Sequence, residues 1–391
     1  MTDPNRLLTG EFMAINGIIF LTFCNIAVFF SFQQYLAGLG IDDHWAGTLI
    51  ALFSLTGLLL RPIISPFLNP ANAKKWVGVG TICVVVSLLT YNLVESIGGL
   101  ALVRILHGAA YVLLATAVVS KFVGCIPTGR SGQAFGVMAV ITLLPYAVAP
   151  PALGPLSAHA GGFVRLLDWS AALMALSLIA LGWLDRGNSR SPETQATSLR
   201  WQEIVANLKD RRVLVLLFLP LVLWTTFSPV FFFMQSFGER IGVPNPGWFF
   251  TCSTVTEMTV RLAAGHLLDR YDKAKSLAAS LAWLVLGHVV IASVKSAEAL
   301  FAMGFFLGIG WGVAMPLVSG LMFDISLPRH RALNTNLSTQ MSQAGLFFGP
   351  ILGGTLIFQW GFAALYYACA LLLVIGLAAV MLGRLNVQER S

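Results

Sequence analysis

Two pairs of charged residues stand in stretches that are otherwise almost entirely apolar. Arg104 precedes His107 by three residues, and Glu257 precedes Arg261 by four. Each spacing places both side chains on one face of a helix. An ionisable group in an apolar environment has a large desolvation cost, so each of these residues requires either a partner or a function. They are the first candidates for binding a ligand or a proton.

The Arg104–His107 pair has two possible roles. The side chains can form a polar patch that binds an anionic group or transfers protons, with His107 titrating near neutral pH. Alternatively, Arg104 hydrogen-bonds to a neighbouring helix and holds a bundle together, and His107 is a satisfied structural residue. We keep both residues in the predicted substrate or proton pathway.

Glu257 is the acidic residue placed well inside an apolar run. It either takes up and releases a proton during the working cycle or only neutralises Arg261. Because the positive charge of Arg261 favours an ionised partner, both interpretations stay open. Arg61 and Arg261 lie near the ends of their apolar runs, which favours a structural role for both at a gate.

Uncharged polar residues in other apolar runs complete a predicted cavity lining. Such groups hydrogen-bond between helices at least as often as they bind a ligand. The predicted set is Asn25, Gln33, Tyr146, Gln235, Gln340 and Gln343.

The residue pattern does not indicate a metal site, a catalytic site or a nucleotide-binding site. The five cysteines are scattered, without CxxC or metal-ligand spacing. The sequence contains no HExxH or GxSxG motif and no paired carboxylates within its apolar runs. The glycine-rich run from Gly304 to Gly312 lacks a Walker lysine and indicates close helix packing. We expect neither an enzyme nor a metal or organic cofactor.

The composition places these residues in membrane helices. Of 391 residues, 57% are hydrophobic and 10% are charged, whereas a soluble domain has about a quarter charged residues. About 20 apolar residues suffice to cross a bilayer. Twelve runs qualify: 13–37, 46–68, 76–93, 98–123, 132–156, 164–184, 213–237, 247–268, 274–294, 299–323, 333–358 and 362–382.

Lysine and arginine residues predict the orientation of these runs. Lys74–Lys75, Lys209–Arg212 and Arg329–Arg331 lie in loops on one side, and the opposite side has at most Arg240, Lys295 and Arg165. The positive-inside rule therefore places both termini in the cytoplasm. The net charge of +7 has this topological origin, so we expect no nucleic-acid partner.

The long polar interval Asp185–Arg212 divides the chain into residues 1–189, a loop 190–212 and residues 213–391. Within the loop, Trp201, Ile204, Val205 and Leu208 have helical spacing, which predicts a short helix on the membrane face with Ser198 as its N-cap.

The two halves are related by a shift of 200 residues. An intramembrane Arg aligns with an Arg, and a Pro with a Pro, which indicates a parallel repeat. The matching pairs include Gly47 and Gly247, Thr56 and Thr256, Arg61 and Arg261, Gly108 and Gly308, Pro150 and Pro350, and Gly154 and Gly354.

Several motifs resemble those of the major facilitator superfamily. RLAAGHLLDRYDKAK resembles its gate motif between the second and third helices of a half, through Gly265, Asp269 and Arg270. The first half has the degraded form RPIISPFLNPANAKK. There the corresponding positions hold Ser65, Asn69, Lys74 and Lys75.

Two further patterns extend the resemblance to essentially the whole chain. RILHG, at Arg104 and Gly108, is similar to the pattern of the family's fourth helix. GPILGG in the eleventh run resembles the antiporter pattern, which APPALG (149–154) keeps imperfectly in the fifth. The antiporter-type positions are Gly349, Pro350, Gly353 and Gly354.

The resemblance implies an all-α membrane protein with twelve transmembrane helices in two pseudo-symmetric six-helix bundles. It further implies a monomeric secondary active transporter of the drug/metabolite:proton antiporter branch, located in the bacterial cytoplasmic membrane. Its partners would be a small organic solute, protons and the lipid bilayer, with the proton gradient as the energy source and alternating access as the mechanism.

The direction of transport has two interpretations. The GPILGG motif favours proton-coupled efflux. Uptake of a small anionic or polar metabolite, with Arg104 as the anion contact, is the alternative. A transporter-like sensor or a polytopic membrane enzyme is a third class, and the sequence shows neither a large soluble output domain nor a catalytic motif for it.

Overall fold

The structure, a computed structural model, describes residues 8–69, 71–127, 130–184, 201–268, 271–383 and 385. For residues 131, 132, 201 and 264–268 only the backbone is described. Every regular element in these ranges is a helix, so the predicted all-helical class is confirmed.

The long helices follow the predicted apolar runs closely. In the described ranges, eleven helices are long and apolar enough to cross a membrane. A further helix of 21 residues, Trp248–Leu268, occupies the position of the predicted eighth span. Their bounds are α1 Gly10–Gly38, α2 Asp43–Phe67, α3 Ala73–Leu93, α4 Ile97–Gly124, α5 Ser131–Ala160, α6 Phe163–Trp183, α7 Arg211–Arg240, α8 Trp248–Leu268, α9 Lys273–Ile291, α10 Ala297–Ile325, α11 Arg331–Trp360 and α12 Phe362–Gly383.

The ends of the helices repeat at the predicted spacing of 200 residues. Ser96 and Ser296 cap α4 and α10, and each hydroxyl accepts the backbone N–H three residues on, at 3.2 and 3.3 Å. Gly161 and Gly361 end α5 and α11 with φ of 87° and 80°, which a residue with a Cβ rarely adopts. Equivalent serines thus cap equivalent helices in the two halves, and equivalent glycines end them.

Helix packing repeats in the same way. A Cβ at Gly108 would lie 3.0 Å from the Cβ of Thr56, and one at Gly308 would lie 3.0 Å from the Cβ of Thr256. These contacts join α2 to α4 and α8 to α10. Gly304, Gly308 and Gly312 all contact α8, which confirms the packing role predicted for this glycine-rich run.

The described residues form two compact units, one within residues 1–41 and 52–193 and the other within 42–51 and 194–391. In the first unit, α1 packs against α4, α5 and α6, and α3 against α4 and α6. In the second, α7 packs against α10, α11 and α12, α8 against α10, and α9 against α10 and α12.

The short helix predicted in the central loop spans Trp201–Leu208, and its predicted cap, Ser198, lies outside the described residues. This connecting helix packs on the first turn of α11 and on the segment before it, within the second unit. Asn207 donates to the side-chain oxygen of Asn334 at 2.7 Å, and both residues are buried. Arg329 donates to Glu203 at 2.9 Å. Specific polar contacts therefore hold this helix against the protein.

Candidate functional site

Arg104 lies within the first unit, enclosed by aromatic rings. Its guanidinium carbon is 4.7, 5.0 and 4.8 Å from the ring centroids of Phe29, Phe32 and Phe53. The side chain also hydrogen-bonds to Tyr91 and is 2% exposed. The negative faces of the rings attract the cation and replace part of its lost hydration. In this conformation the guanidinium is closed off from any solute.

His107 joins three helices of the first unit. Its Nε2 is 3.1 Å from the Asn25 amide nitrogen on α1, and its Nδ1 is 3.5 Å from the Tyr91 hydroxyl on α3. With the Asn25 amide nitrogen as the donor, Nε2 of His107 is the acceptor. The predicted residues Asn25, Arg104 and His107 therefore form one buried cluster.

The remaining pathway candidates outside α11 are more dispersed. Gln33 is buried near the far end of α1. Tyr146 on α5 is half-buried, with its ring edge-on to Phe23 at a centroid distance of 6.5 Å. Gln235 donates to the Glu239 carboxylate at 2.8 Å near the end of α7. In this conformation the Gln235 side chain is therefore used in a local hydrogen bond at the end of α7.

Glu257 and Arg261 form an ion pair on α8, as their spacing predicts. The Glu257 side chain is 9% exposed and that of Arg261 is 26% exposed. A Cβ at Gly312 would lie 3.1 Å from the Glu257 Cα, so α10 covers this part of α8 closely. The result is a buried carboxylate bound to a cation that still reaches water.

The first-half gate segment is held together locally. The Asn69 side-chain oxygen accepts the backbone N–H groups of Ala71 and Asn72 at 3.1 and 3.0 Å, a turn contact that Asp makes equally well. Lys74 donates to the carbonyl of Leu184 at 3.1 Å and so ties α3 to the end of α6. Lys75 is exposed.

The two intramembrane arginines near the predicted gate differ in their partners. Arg61 on α2 lies near Tyr111 of α4, whereas Arg261 pairs with the Glu257 carboxylate. Of the second-half motif, Asp269 and Arg270 lie outside the described residues, and Gly265 is described only as backbone of α8. Their predicted gate role stays a prediction.

The GPILGG motif packs α11 against other helices of the second unit. A Cβ at Gly349 would lie 2.8 Å from the Thr225 carbonyl oxygen, and one at Gly353 would lie 2.7 Å from the Cβ of Pro229, both on α7. Gly354 instead contacts the backbone of residues 43–47, which belong to this unit. Pro350 is buried beside it. The motif therefore brings α11 close both to α7 and to residues 43–47.

The buried residue His288 on α9 was missed by the sequence analysis. Its Nδ1–H donates to the Leu284 carbonyl at 2.8 Å, and its Nε2 has no hydrogen-bond partner in the described part of the chain. The ring lies 6.1 Å from that of Trp311, whose buried indole nitrogen also lacks a partner there. The sequence did contain a signal for His288, because an ionisable residue inside a predicted membrane span is a candidate functional residue.

A buried ion pair in the first unit was also missed. Lys121 Nζ at the end of α4 lies 3.0 Å from a carboxylate oxygen of Glu11 at the start of α1. The Lys121 side chain is 1% exposed. The two residues are far apart in sequence, and each lies at the edge of its apolar run, so only the fold brings them together.

Two units of long apolar helices define a polytopic membrane protein. The chain belongs to the Major Facilitator Superfamily, because the family model matches residues 15–246 and 243–390, nearly the whole sequence. The suspected family is thus confirmed. Because the family and the relatives below are transporters, the protein is not an enzyme.

Named relatives are distant. Sugar efflux transporter A of Escherichia coli (strain K12) is 24% identical over 62% of this chain, and the match spans only 61% of that relative. Multidrug resistance protein MdtG of Salmonella choleraesuis (strain SC-B67) is 23% identical to this protein, and the match covers 86% of this chain and 85% of the MdtG chain. The crystal structure of the nucleoside transporter NupG has a TM-score of 0.77 at 16% identity, covering 96% of this chain and 99% of that one, which shows the shared fold.

Proposed function

We propose that this protein is a secondary active transporter that exports a small organic solute across the bacterial cytoplasmic membrane in exchange for protons. In the proposed architecture, twelve spans form two six-helix halves, 1–189 and 213–391, with both termini in the cytoplasm. Two relatives named for efflux and multidrug resistance, together with the GPILGG motif, support the direction. The observation that carries the coupling proposal is the buried Glu257–Arg261 pair.

The ion pair supplies a physical basis for coupling. Protonation of Glu257 removes the negative charge and leaves the Arg261 guanidinium without its partner in a largely apolar setting. The Arg261 side chain is only 26% exposed, so losing its partner still costs free energy, and the protonated protein favours a conformation in which Arg261 is more fully hydrated. Proton binding thereby changes the relative stability of two conformations, which a coupled transporter requires.

The uptake alternative depends on Arg104 as an anion contact. Three phenylalanine rings and Tyr91 enclose that guanidinium, and it is 2% exposed. Because an anion would have to displace this shell, the enclosure favours a packing role for Arg104. We therefore propose efflux and not anion uptake.

Replacing Glu257 by Gln tests the coupling. Gln keeps the size and a hydrogen-bonding oxygen but cannot take up a proton, so we expect proton-driven flux in proteoliposomes to fall at least tenfold while solute exchange without a gradient continues. Glu298→Gln is the matched control, because Glu298 is an exposed carboxylate in the first turn of α10. Driven flux that stays unchanged in Glu257→Gln would remove Glu257 from coupling.

A flux measurement in inverted membrane vesicles tests the direction of transport. In inverted membrane vesicles energised to an acidic interior, a solute–proton antiporter accumulates its solute. Loss of solute from such vesicles on energisation would refute antiport.

A further inference from the structure

The cytoplasm-proximal half of α11, in the proposed orientation, is polar to a degree unusual for a membrane helix. Residues 334–343 read NTNLSTQMSQ. Asn336 is exposed, and Thr339, Gln340 and Gln343 are half-exposed. The corresponding positions of α5, shifted by 200 residues, are apolar: Gly136, Ala139, Val140 and Leu143. The fold itself therefore does not require polar side chains here.

The direction of these side chains follows from helix geometry. Thr339, Gln343, Pro350 and Gly354 are spaced by four, seven and four residues, which keeps them on one face of α11. At its far end this face contacts residues 43–47 through Gly354. The adjacent face of α11, carrying Gly345, Gly349 and Gly353, packs on α7. The polar residues thus point away from the α7 contact.

A polar helix face of this kind is seldom turned to lipid. In membrane proteins such residues face a bundle interior or a water-filled cavity. The Gln340 side-chain oxygen is also buried without a hydrogen-bond partner among the described residues. A buried acceptor left unpaired is costly, so this atom is suited to a donor supplied by a ligand.

We propose that Asn336, Thr339, Gln340 and Gln343 form a recognition face for a neutral solute rich in hydroxyl or amide groups, such as a sugar or a nucleoside. Amide and hydroxyl side chains both donate and accept hydrogen bonds and have no charge. They match a polyhydroxylated neutral solute and offer no counter-charge to a lipophilic cation. The inference rests on the proposed transport function and specifies its substrate class.

Proteoliposome transport of three probes tests the assignment: sucrose, uridine and tetraphenylphosphonium. We expect the wild type to carry sucrose or uridine, and Thr339→Val and Gln343→Leu each to lower the kcat/KM for that neutral probe at least tenfold, the equivalent of one lost hydrogen bond to the solute. Thr90→Val is the matched control, because both threonine hydroxyls donate to the carbonyl four residues earlier. Thermal unfolding of each variant checks that the fold is intact.

The outcomes separate this inference from the proposed function. Driven transport of tetraphenylphosphonium with no transport of either neutral probe would leave the transporter function standing and overturn the neutral-solute assignment. Neutral-probe transport that is unchanged in folded Thr339→Val and Gln343→Leu would overturn the role of this face. A wild type that moves none of the three probes under a proton gradient would contradict the assignment and count against the proposed transport function.

Discussion

Buried charges in this protein are compensated in two distinct ways. Arg104 is surrounded by aromatic rings and a tyrosine hydroxyl, whereas Glu257 and Lys121 each have an opposite charge beside them. A guanidinium enclosed by aromatic rings has no proton to exchange near neutral pH, whereas a carboxylate beside a guanidinium has a site where a proton can bind. We therefore propose a structural role for Arg104 and a proton-binding role for Glu257, whose ion pair lies within a membrane helix and not at a helix end.

Replacing Arg104 by Lys tests the structural assignment. Lysine keeps the charge but loses the planar group that lies over the three rings, so we expect the free energy of unfolding to fall by about 1–3 kcal/mol. Denaturation of the purified protein in detergent measures it. Arg165→Lys is the control, because Arg165 has a 66% exposed side chain. Unchanged stability with abolished transport would instead return Arg104 to a direct role in solute or proton binding.

Close helix pairs determine where the polar groups lie. Glycines four residues apart bring α10 against α8 and α11 against α7. The first approach covers the Glu257–Arg261 pair, and the second leaves the polar face of α11 pointing away from α7. Small residues at these contacts therefore place the candidate site as well as stabilising the bundle.

Gly349→Ala tests the α7–α11 approach. The added methyl group would lie 2.8 Å from the Thr225 carbonyl oxygen and 2.9 Å from Pro229, so the helices must separate. We expect the free energy of unfolding to fall by about 1–3 kcal/mol, as for other overpacked sites.

Gly320→Ala is the matched control for this change. Gly320 is also in a long helix of the second unit, and a Cβ there meets no atom within 4 Å. Alanine has the higher helix propensity, so stability should hold or rise slightly. Equal losses in the two variants would indicate a backbone effect common to helical glycines and not a steric one at α11.

At the scale of the whole molecule, charge distribution and internal repetition act together. The 200-residue repeat appears in helix ends, caps and close contacts, yet the halves have diverged in chemistry. The first unit contains the aromatic Arg104 cluster, and the second contains Glu257 and the polar face of α11. This asymmetry places the proposed proton and solute groups together in one unit.

The proposed topology predicts the location of reporter fusions. Green fluorescent protein at the C-terminal end should fluoresce, because it folds in the cytoplasm, and alkaline phosphatase joined after Val94, between α3 and α4, should be active outside it. A dimmed C-terminal fluorescent protein together with an active C-terminal phosphatase would reverse the orientation.

Hydrophobic runs, loop charges and the internal repeat were sufficient to predict the helices and the membrane setting, and the resemblance of the gate, RILHG and GPILGG motifs predicted the family. The helices and the membrane setting follow from local composition and helix period, which a chain retains whatever its tertiary contacts. The i,i+4 pairing of Glu257 with Arg261 was predictable for the same reason. The connecting helix was also predicted, but its polar contacts with the second unit were not.

Contacts between distant helices were decided only by the tertiary structure. Lys121 meets Glu11 across the first unit, and Arg104 lies among rings from α1 and α2, because helix packing and not sequence spacing brings them together. The polar residues of α11 were visible in the sequence. Which way they point depends on where Gly349 and Gly354 contact their neighbours, since a helix period fixes relative directions on one helix but not which direction meets water.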